Sequence, residues 1–421
     1  MKIKEKRGIT LIALVITVII LIILATVTLN VVLGEGGLIQ RAQQGKDMTI
    51  NATKDEEREI NEINDKITNI IEEASKNIDS ETGWDLNRVN KITSEDGIVL
   101  PVPIGYTASN ATGEKSVDEG LVIYEGTEEV NDKNVEESRK TRNQFVWVPV
   151  ENVNEMYGID ANGKKWGKLY EFDEEGITAL NWTEQDGVMT ILNMSSFREP
   201  DIIIGREGTE YDVVSKNLQE AGLASNATAD TFKSQLEKEF NEMILSVEKY
   251  KGFYIGRYET GDLSKENAVI LKNNLNINNQ TWYTNYKLSK KIAANGNVAS
   301  TIIWGSQWDA TLRWMYNSGD EAKKKYTYNC IGKGNFYGTQ GETNKLIPTG
   351  YNSDYAVNNI YDMAGNVWDA TMEADSYYGR GSRGGDFNNI GSRFPPAHHN
   401  RDYPETIHKQ HGLRTSLYIM L

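Results

Sequence analysis

The chain has one cysteine, Cys330, among 421 residues. That excludes an intramolecular disulfide, a cysteine-based zinc site and any chemistry that needs a dithiol. Histidine is scarce too, with four in all and none before position 398. Basic residues are in deficit, 45 Lys and Arg against 60 Asp and Glu, for a formal net charge of -15. A nucleic-acid binder needs a basic face to meet phosphates, so no nucleic acid is expected as a partner. The first 83 residues lack Phe, Tyr and Trp, whereas Trp84 onward carries all nine Trp and all 21 Tyr. So sharp a break separates an elongated or membrane part from a globular part.

Charge is absent from residues 9–34, a run that follows Lys2, Lys4, Lys6 and Arg7. Such a run is long enough to span a bilayer as a helix, with its basic flank cytoplasmic. A secretory signal peptide fits poorly, because its apolar core is shorter and ends at a small-residue cleavage site. The sequence KRGITLIALVITVIILIILATVTLN resembles the type IV prepilin N-terminus. The resemblance implies a leader over 1–8 ending in Gly8 and cleavage before Ile9 by a prepilin peptidase. It also implies a transmembrane helix over 9–34 and handling by a pilus-like assembly machinery. The chain departs from the family at Ala13, where most pilins carry a glutamate that registers subunits in the fibre, so filament incorporation stays open. A plain uncleaved membrane anchor is the alternative.

Beyond Gly34, Gly36 and Gly37, the stretch 42–80 holds ten acidic and five basic residues. Within it Ile60, Ile63, Ile67, Ile70 and Ala74 recur at spacings of three and four, which puts them on one helical stripe. The pattern predicts an amphipathic stalk helix over 35–80. Its stripe packs on the globular part or a neighbouring helix, or the stalk is simply solvated.

From Ile98 onward, short β-like runs alternate with Gly, Asn and Asp, and helical windows are few. Phe232, Leu236, Phe240 and Ile244 or Leu245 predict a helix over 231–250. Trp308, Leu312 and Met315 predict another over 306–316. Strands are expected at 145–150, 252–258 and 416–419. The class is α+β with much irregular structure.

Four blocks, in order, resemble the formylglycine-generating enzyme (sulfatase-modifying factor) family. They are FVWVPV at 145–150, GFYIGRYET at 252–260, YDMAGNVWDATME at 361–373, and RGSRGGDF at 380–387 closed by HGLRTSLYI at 411–419. WGSQWDATLRWM at 304–315 takes the place of the family helix. The resemblance implies that 81–421 is a C-type lectin fold of this family's subtype. Each block also has a reading of its own. Gly365-Asn366 supplies a tight turn, Trp368 anchors the core, and Gly384-Gly385 permits a backbone closed to other residues. Arg383 and Arg414 are read as structural partners of carboxylates or carbonyls.

The family enzyme oxidises a substrate cysteine with two copper-binding cysteines placed just after the Arg-Gly-Gly turn. Here that stretch reads GDFNNIGSRFPPAHHN, without cysteine. The family's iron-dependent relatives use a His-rich motif in a separate helical domain, and no histidine precedes 398. Neither copper nor iron is expected, and no catalytic activity. His398, His399, His408 and His411 fall within 14 residues, and His is a common transition-metal ligand, so a metal site is an alternative to weigh. Against that, adjacent His398 and His399 would point apart on a strand, and only Asp402 and Glu405 lie near as acidic partners. Calcium is the better metal candidate, because Asp362 and Asp369 flank the turn and carboxylates with turn carbonyls form the oxygen cage it prefers. The resemblance implies a structural calcium held by Asp362, Asp369 and the carbonyls of Gly365 and Val367. The alternative is two surface or N-cap aspartates.

The segment 386–411 has no hydrophobic period. It sets Asp386, Phe387, Asn388, Asn389, Arg393, Phe394, His398, His399, Asn400, Asp402, Tyr403, His408 and His411 on a glycine-framed scaffold. Large polar and aromatic side chains on a rigid frame are what adaptable binding sites use. The arrangement resembles the variable proteins of diversity-generating retroelements, whose lectin-fold domains end in a segment mutated at adenines of a template. An Asn codon changed at its two adenines can become His, Asp, Tyr, Phe, Ile, Ser or Arg, which accounts for many of these residues. Lys409, Gln410 and Glu405 are not reachable that way. The expectation is a cytoplasmic-membrane protein whose head faces outward, at the cell surface or on a pilus-like fibre. It would be a non-catalytic adhesin or receptor that binds a protein or glycan through 386–411. A minor structural pilin with a fixed head, and a metal-dependent enzyme using the late histidines, are the alternatives.

Overall fold

The computed structural model describes residues 15–24, 66, 77–192, 197–203, 215–262, 267–293, 295–339, 345–375 and 379–421. The chain divides into two compact units, Met1–Asn77 and Ile78–Leu421. In the first, residues 15–24 are helical and their apolar side chains are mostly exposed. Among the described residues no helix is long and apolar enough to cross a membrane. The processing site at Gly8 and Ile9, most of the 9–34 run and nearly all of the 35–80 stalk lie outside the described residues.

The second unit mixes helix and strand and is mostly β. An antiparallel six-stranded sheet runs in the order Val298–Ile302, Thr415–Ile419, Gly252–Gly256, Gln144–Pro149, Val122–Glu125, Tyr106–Ala108. Gly252–Gly256 and Thr415–Ile419 are buried at every position, as apolar runs covered on both faces must be. The helix Ala229–Tyr250 packs on these two strands. It starts where the Thr228 side chain accepts from the Thr231 amide, and it ends at Lys251 in the left-handed region. Phe232, Leu236, Phe240 and Ile244 of its stripe are buried, whereas Leu245 is exposed, which settles the alternative the spacing left open. The second expected helix runs Gly305–Tyr316 and buries Trp308, Leu312 and Met315 completely.

A second sheet joins Phe197–Arg198, Trp368–Asp375, Arg380–Arg383 and Asn400–Asp402, and His411–Leu413 pairs parallel to Trp368–Asp375. It carries both the 365–368 turn and the 386–411 segment. All eight residues of Trp368–Asp375 are buried, including three carboxylates, and buried charge persists only when it is paired. Gly384 and Gly385 have φ of 88° and 77°, and a Cβ at Gly384 would sit 2.7 Å from the Met363 carbonyl oxygen. Three short hairpins between residues 157 and 191, and the helix Trp282–Ser289, were not expected. Strands of three or four residues are too short to show a period of two.

Candidate functional site

Around the 365–368 turn the structure gathers three buried carboxylates. Asp362 and Asp369 are each 1% exposed, so they are neither surface nor cap residues. Asp362 Oδ2 accepts from the Gly350 amide at 2.9 Å, and Asp369 Oδ2 accepts from Arg414 Nε at 3.0 Å. The Oδ1 atom of each is buried without a hydrogen-bond partner. Arg414 also donates to the carbonyls of Gly256 and Tyr361, as the structural reading of that residue requires. Burial pushes Asp362 and Asp369 up to about 6. Glu259, which the sequence reading missed, completes the cluster. It accepts from the Asn276 and Asn366 side-chain amides and from the Val367 amide. Burial, then the charges of Asp362 and Asp369, push Glu259 well above the usual carboxylate range. Its signal was an acidic residue inside the otherwise structural block GFYIGRYET.

Two orphaned carboxylate oxygens, with one guanidinium facing three acids, fit a hard cation. Among the described residues, no group of three or more His, Cys, Asp and Glu side chains converges as a metal cage. A cation here would rest on the Oδ1 atoms of the two aspartates.

The 386–411 segment splits by burial. Asp386 and Phe387, expected on display, are only 4% and 1% exposed. They belong to the turn frame: the Phe387 amide donates to the Asn366 carbonyl, and Asp386 Oδ1 accepts from the Asn388 amide. Asn388, Arg393, Tyr403 and His408 are exposed, while Asn389, Phe394, His398, His399, Asn400, Asp402 and His411 are half-buried. His398 and His399 lie not on a strand but after a turn closed by the His398 amide on the Pro395 carbonyl. His398 meets the rings of Trp368 and Phe394 at 6.0 and 5.0 Å, and burial lowers it to about 4. His399 Nδ1 lies 3.1 Å from Glu373 Oε2, and its Nε2 lies 3.1 Å from the Tyr170 carbonyl. His411 Nε2 faces Asp402 Oδ2 at 3.4 Å.

Arg393, Pro395, Ala397, His398 and His399 form one wall of an open groove of about 510 Å³. Phe172, Leu180 and Phe197 form the other, with Glu171 and Asp173 at the rim. Glu171 and Phe172 of that wall come from the hairpin Tyr170–Phe172/Ile177–Ala179, which the sequence did not reveal, and Phe197 comes from the second sheet. Beneath the groove Arg383 is fully buried and spans Glu373 at 2.9 Å and Asp309 at 3.2 Å, while also donating to the Ala397 carbonyl. Asp309 Oδ2 in turn accepts from the Tyr170 amide at 2.9 Å. Burial alone would raise Glu373, but Arg383 and His399 hold it at about 2. Neighbouring Glu199 is pushed up to about 8 by burial and by the Glu373 charge, and it accepts from the Gly305 and Ser306 amides at a helix start. Cys330 is buried, donates to the Gly391 carbonyl, and is pushed up to about 12 by burial. Its thiol is therefore inert at neutral pH.

No family model matches the chain, and no curated protein matches it. Among solved structures it is similar to CarF, with a TM-score of 0.31 and 11% identity over 41% of this chain and 87% of that chain. PvdO from Pseudomonas aeruginosa gives a TM-score of 0.26 and 18% identity over 41% and 82%. Treponema denticola variable protein 1 gives 0.22 and 13% over 65% and 95%. Scores this low carry no argument about function, and the site is read from its own residues.

Proposed function

We propose that the chain is a membrane-held, pilin-like display protein whose lectin-like head, of the formylglycine-generating-enzyme subtype, binds a ligand through its C-terminal surface. It is a binder rather than an enzyme, and a retroelement diversifies its exposed tail. One observation carries the reading: Arg393, Pro395, Ala397, His398 and His399 line an open groove, and the buried Arg383 and Glu373 hold that segment through the Ala397 carbonyl and His399. Asn388, Arg393, Tyr403 and His408 are exposed, so those four can change without loss of the fold. A structural calcium at Asp362 and Asp369 supports the frame. The outward-facing head, the prepilin cleavage at Gly8 and the contact with assembly machinery belong to the same reading and rest on the N-terminal sequence.

The test is a pair of displayed libraries of the full chain, panned against hen lysozyme as a model protein target. One varies Asn388, Arg393, Tyr403 and His408; the other varies Asp386, Phe387 and Ala397. The first should yield folded clones that bind the target, and the second should yield mostly unfolded ones. A first library that gives no folded binder contradicts the proposal.

A further inference from the structure

On the helix Gly305–Tyr316 the core stripe is Trp308, Leu312 and Met315, continued by Trp304 at the N-cap, all fully buried. Ala310, Arg313, Trp314 and Asn317 recur at spacings of three, one and three, so they share a second face. That face forms one wall of a cleft of about 300 Å³, and residues 149–152 with Glu155 and Met156 form the other. No residue of 386–411 lines it. Ala310 is the smallest residue of this face and lines the cleft together with Trp314. Arg313 is fixed at the edge, with Nε 3.4 Å from Glu155 Oε2 and its guanidinium 4.3 Å over the Tyr170 ring.

Trp314 is half-buried and lines the cleft as an apolar surface, and Asn152, Asn317 and the carboxylates around it offer donors and acceptors. A sugar ring has the complementary surface: one C–H face and a rim of neighbouring hydroxyls that both donate and accept. Asp118, Glu151 and Glu155 outnumber Arg313 and the Lys323 that lies 3.9 Å from Asp118, so the surroundings are net negative and disfavour an acidic sugar. The volume is at the lower end for ligand pockets and suits a monosaccharide or the end ring of a chain. We propose that this cleft is a second binding site, separate from the tail groove, for a neutral or amino sugar stacked on Trp314.

The experiment uses the full chain in a detergent without a sugar headgroup. Saturation-transfer NMR and calorimetry are run with methyl α-mannoside, methyl β-galactoside, N-acetylglucosamine, glucosamine, glucuronate and N-acetylneuraminate. At least one of the four neutral or amino sugars should bind, and the two acidic ones should not. Trp314→Ala should weaken that binding about tenfold, the loss of one ring stack. Ala310→Leu, which adds bulk to the cleft wall and keeps Trp314, should weaken it as well. Arg393→Ala in the tail groove should leave it unchanged. If Trp314→Ala does not fold, Ala310→Leu decides. The proposal is overturned if no neutral or amino sugar binds, if an acidic sugar binds better, if Ala310→Leu binds normally, or if Arg393→Ala abolishes binding.

Discussion

His399 reaches Glu373 through Nδ1 at 3.1 Å, and this contact ties the tail segment to the central strand of the second sheet. Its other ring nitrogen holds the Tyr170 carbonyl at the start of the opposite groove wall. One side chain therefore fixes the distance between the two walls.

Replacing His399 with Ala should leave the fold in place at a cost of about 1–3 kcal/mol, the size of hydrogen bonds left unmade in a buried site. Hydrogen exchange should then speed up at residues 170–172. Unchanged exchange there would show that the groove wall does not depend on His399. Removing Glu373 is more severe, because it strips the buried Arg383 of its shortest carboxylate contact. Glu373→Ala should cost about 3–5 kcal/mol in urea unfolding.

Glu199 and Glu373 give opposite pH dependence. Glu373 is held near 2 when folded, so it contributes stability above the ordinary carboxylate value, lost as pH falls through about 2. Glu199 is raised to about 8 when folded, so folding favours its protonated form and stability falls as pH rises from about 4.5 to about 8. Glu199→Gln cannot ionise. Its melting temperature should fall less than that of the parent chain between pH 5 and pH 8.5, and an equal fall in both would contradict the assignment.

Calcium should stabilise the head by relieving the two orphaned oxygens of Asp362 and Asp369. At a hundredfold excess over its dissociation constant the gain is about 2.7 kcal/mol. Asp369→Asn should abolish the gain, and so should acidification below about 6, where both aspartates take up protons. A melting temperature that is the same in calcium and in chelator would rule the ion out.

Trp368 is 4% exposed and meets the Phe394 ring at 5.7 Å, so it packs the turn against the tail. Trp368→Ala should destabilise the head by about 3–5 kcal/mol in chemical unfolding. A loss under 1 kcal/mol would show that the turn does not support the tail.

The parts of the head legible in the sequence are those whose apolar residues repeat over several turns or run unbroken. The 231–250 and 306–316 helices and the 145–150 strand are of this kind. The turn at Gly365-Asn366 and the Gly384-Gly385 pair were legible because positive φ restricts residue choice. Arg383 and Arg414 were readable as structural because a guanidinium set within a strand-and-turn block must find carboxylates or carbonyls. What stayed hidden are contacts between distant segments. Glu259 meets Asp362 and Asp369 from about a hundred positions away, and Tyr170 meets His399 across 229 positions. Phe387 looked like a display residue because its neighbours Asn388 and Asn389 are polar, yet backbone bonding to Asn366 draws it inside.

The most direct measurement is sequencing of the gene's 3′ end across many cells of one lineage. The account predicts substitutions at adenines of a nearby template copy, falling in codons for exposed residues such as Asn388, Arg393, Tyr403 and His408, with Phe387 unchanged. An invariant tail, or changes spread evenly over buried and exposed codons, would contradict it.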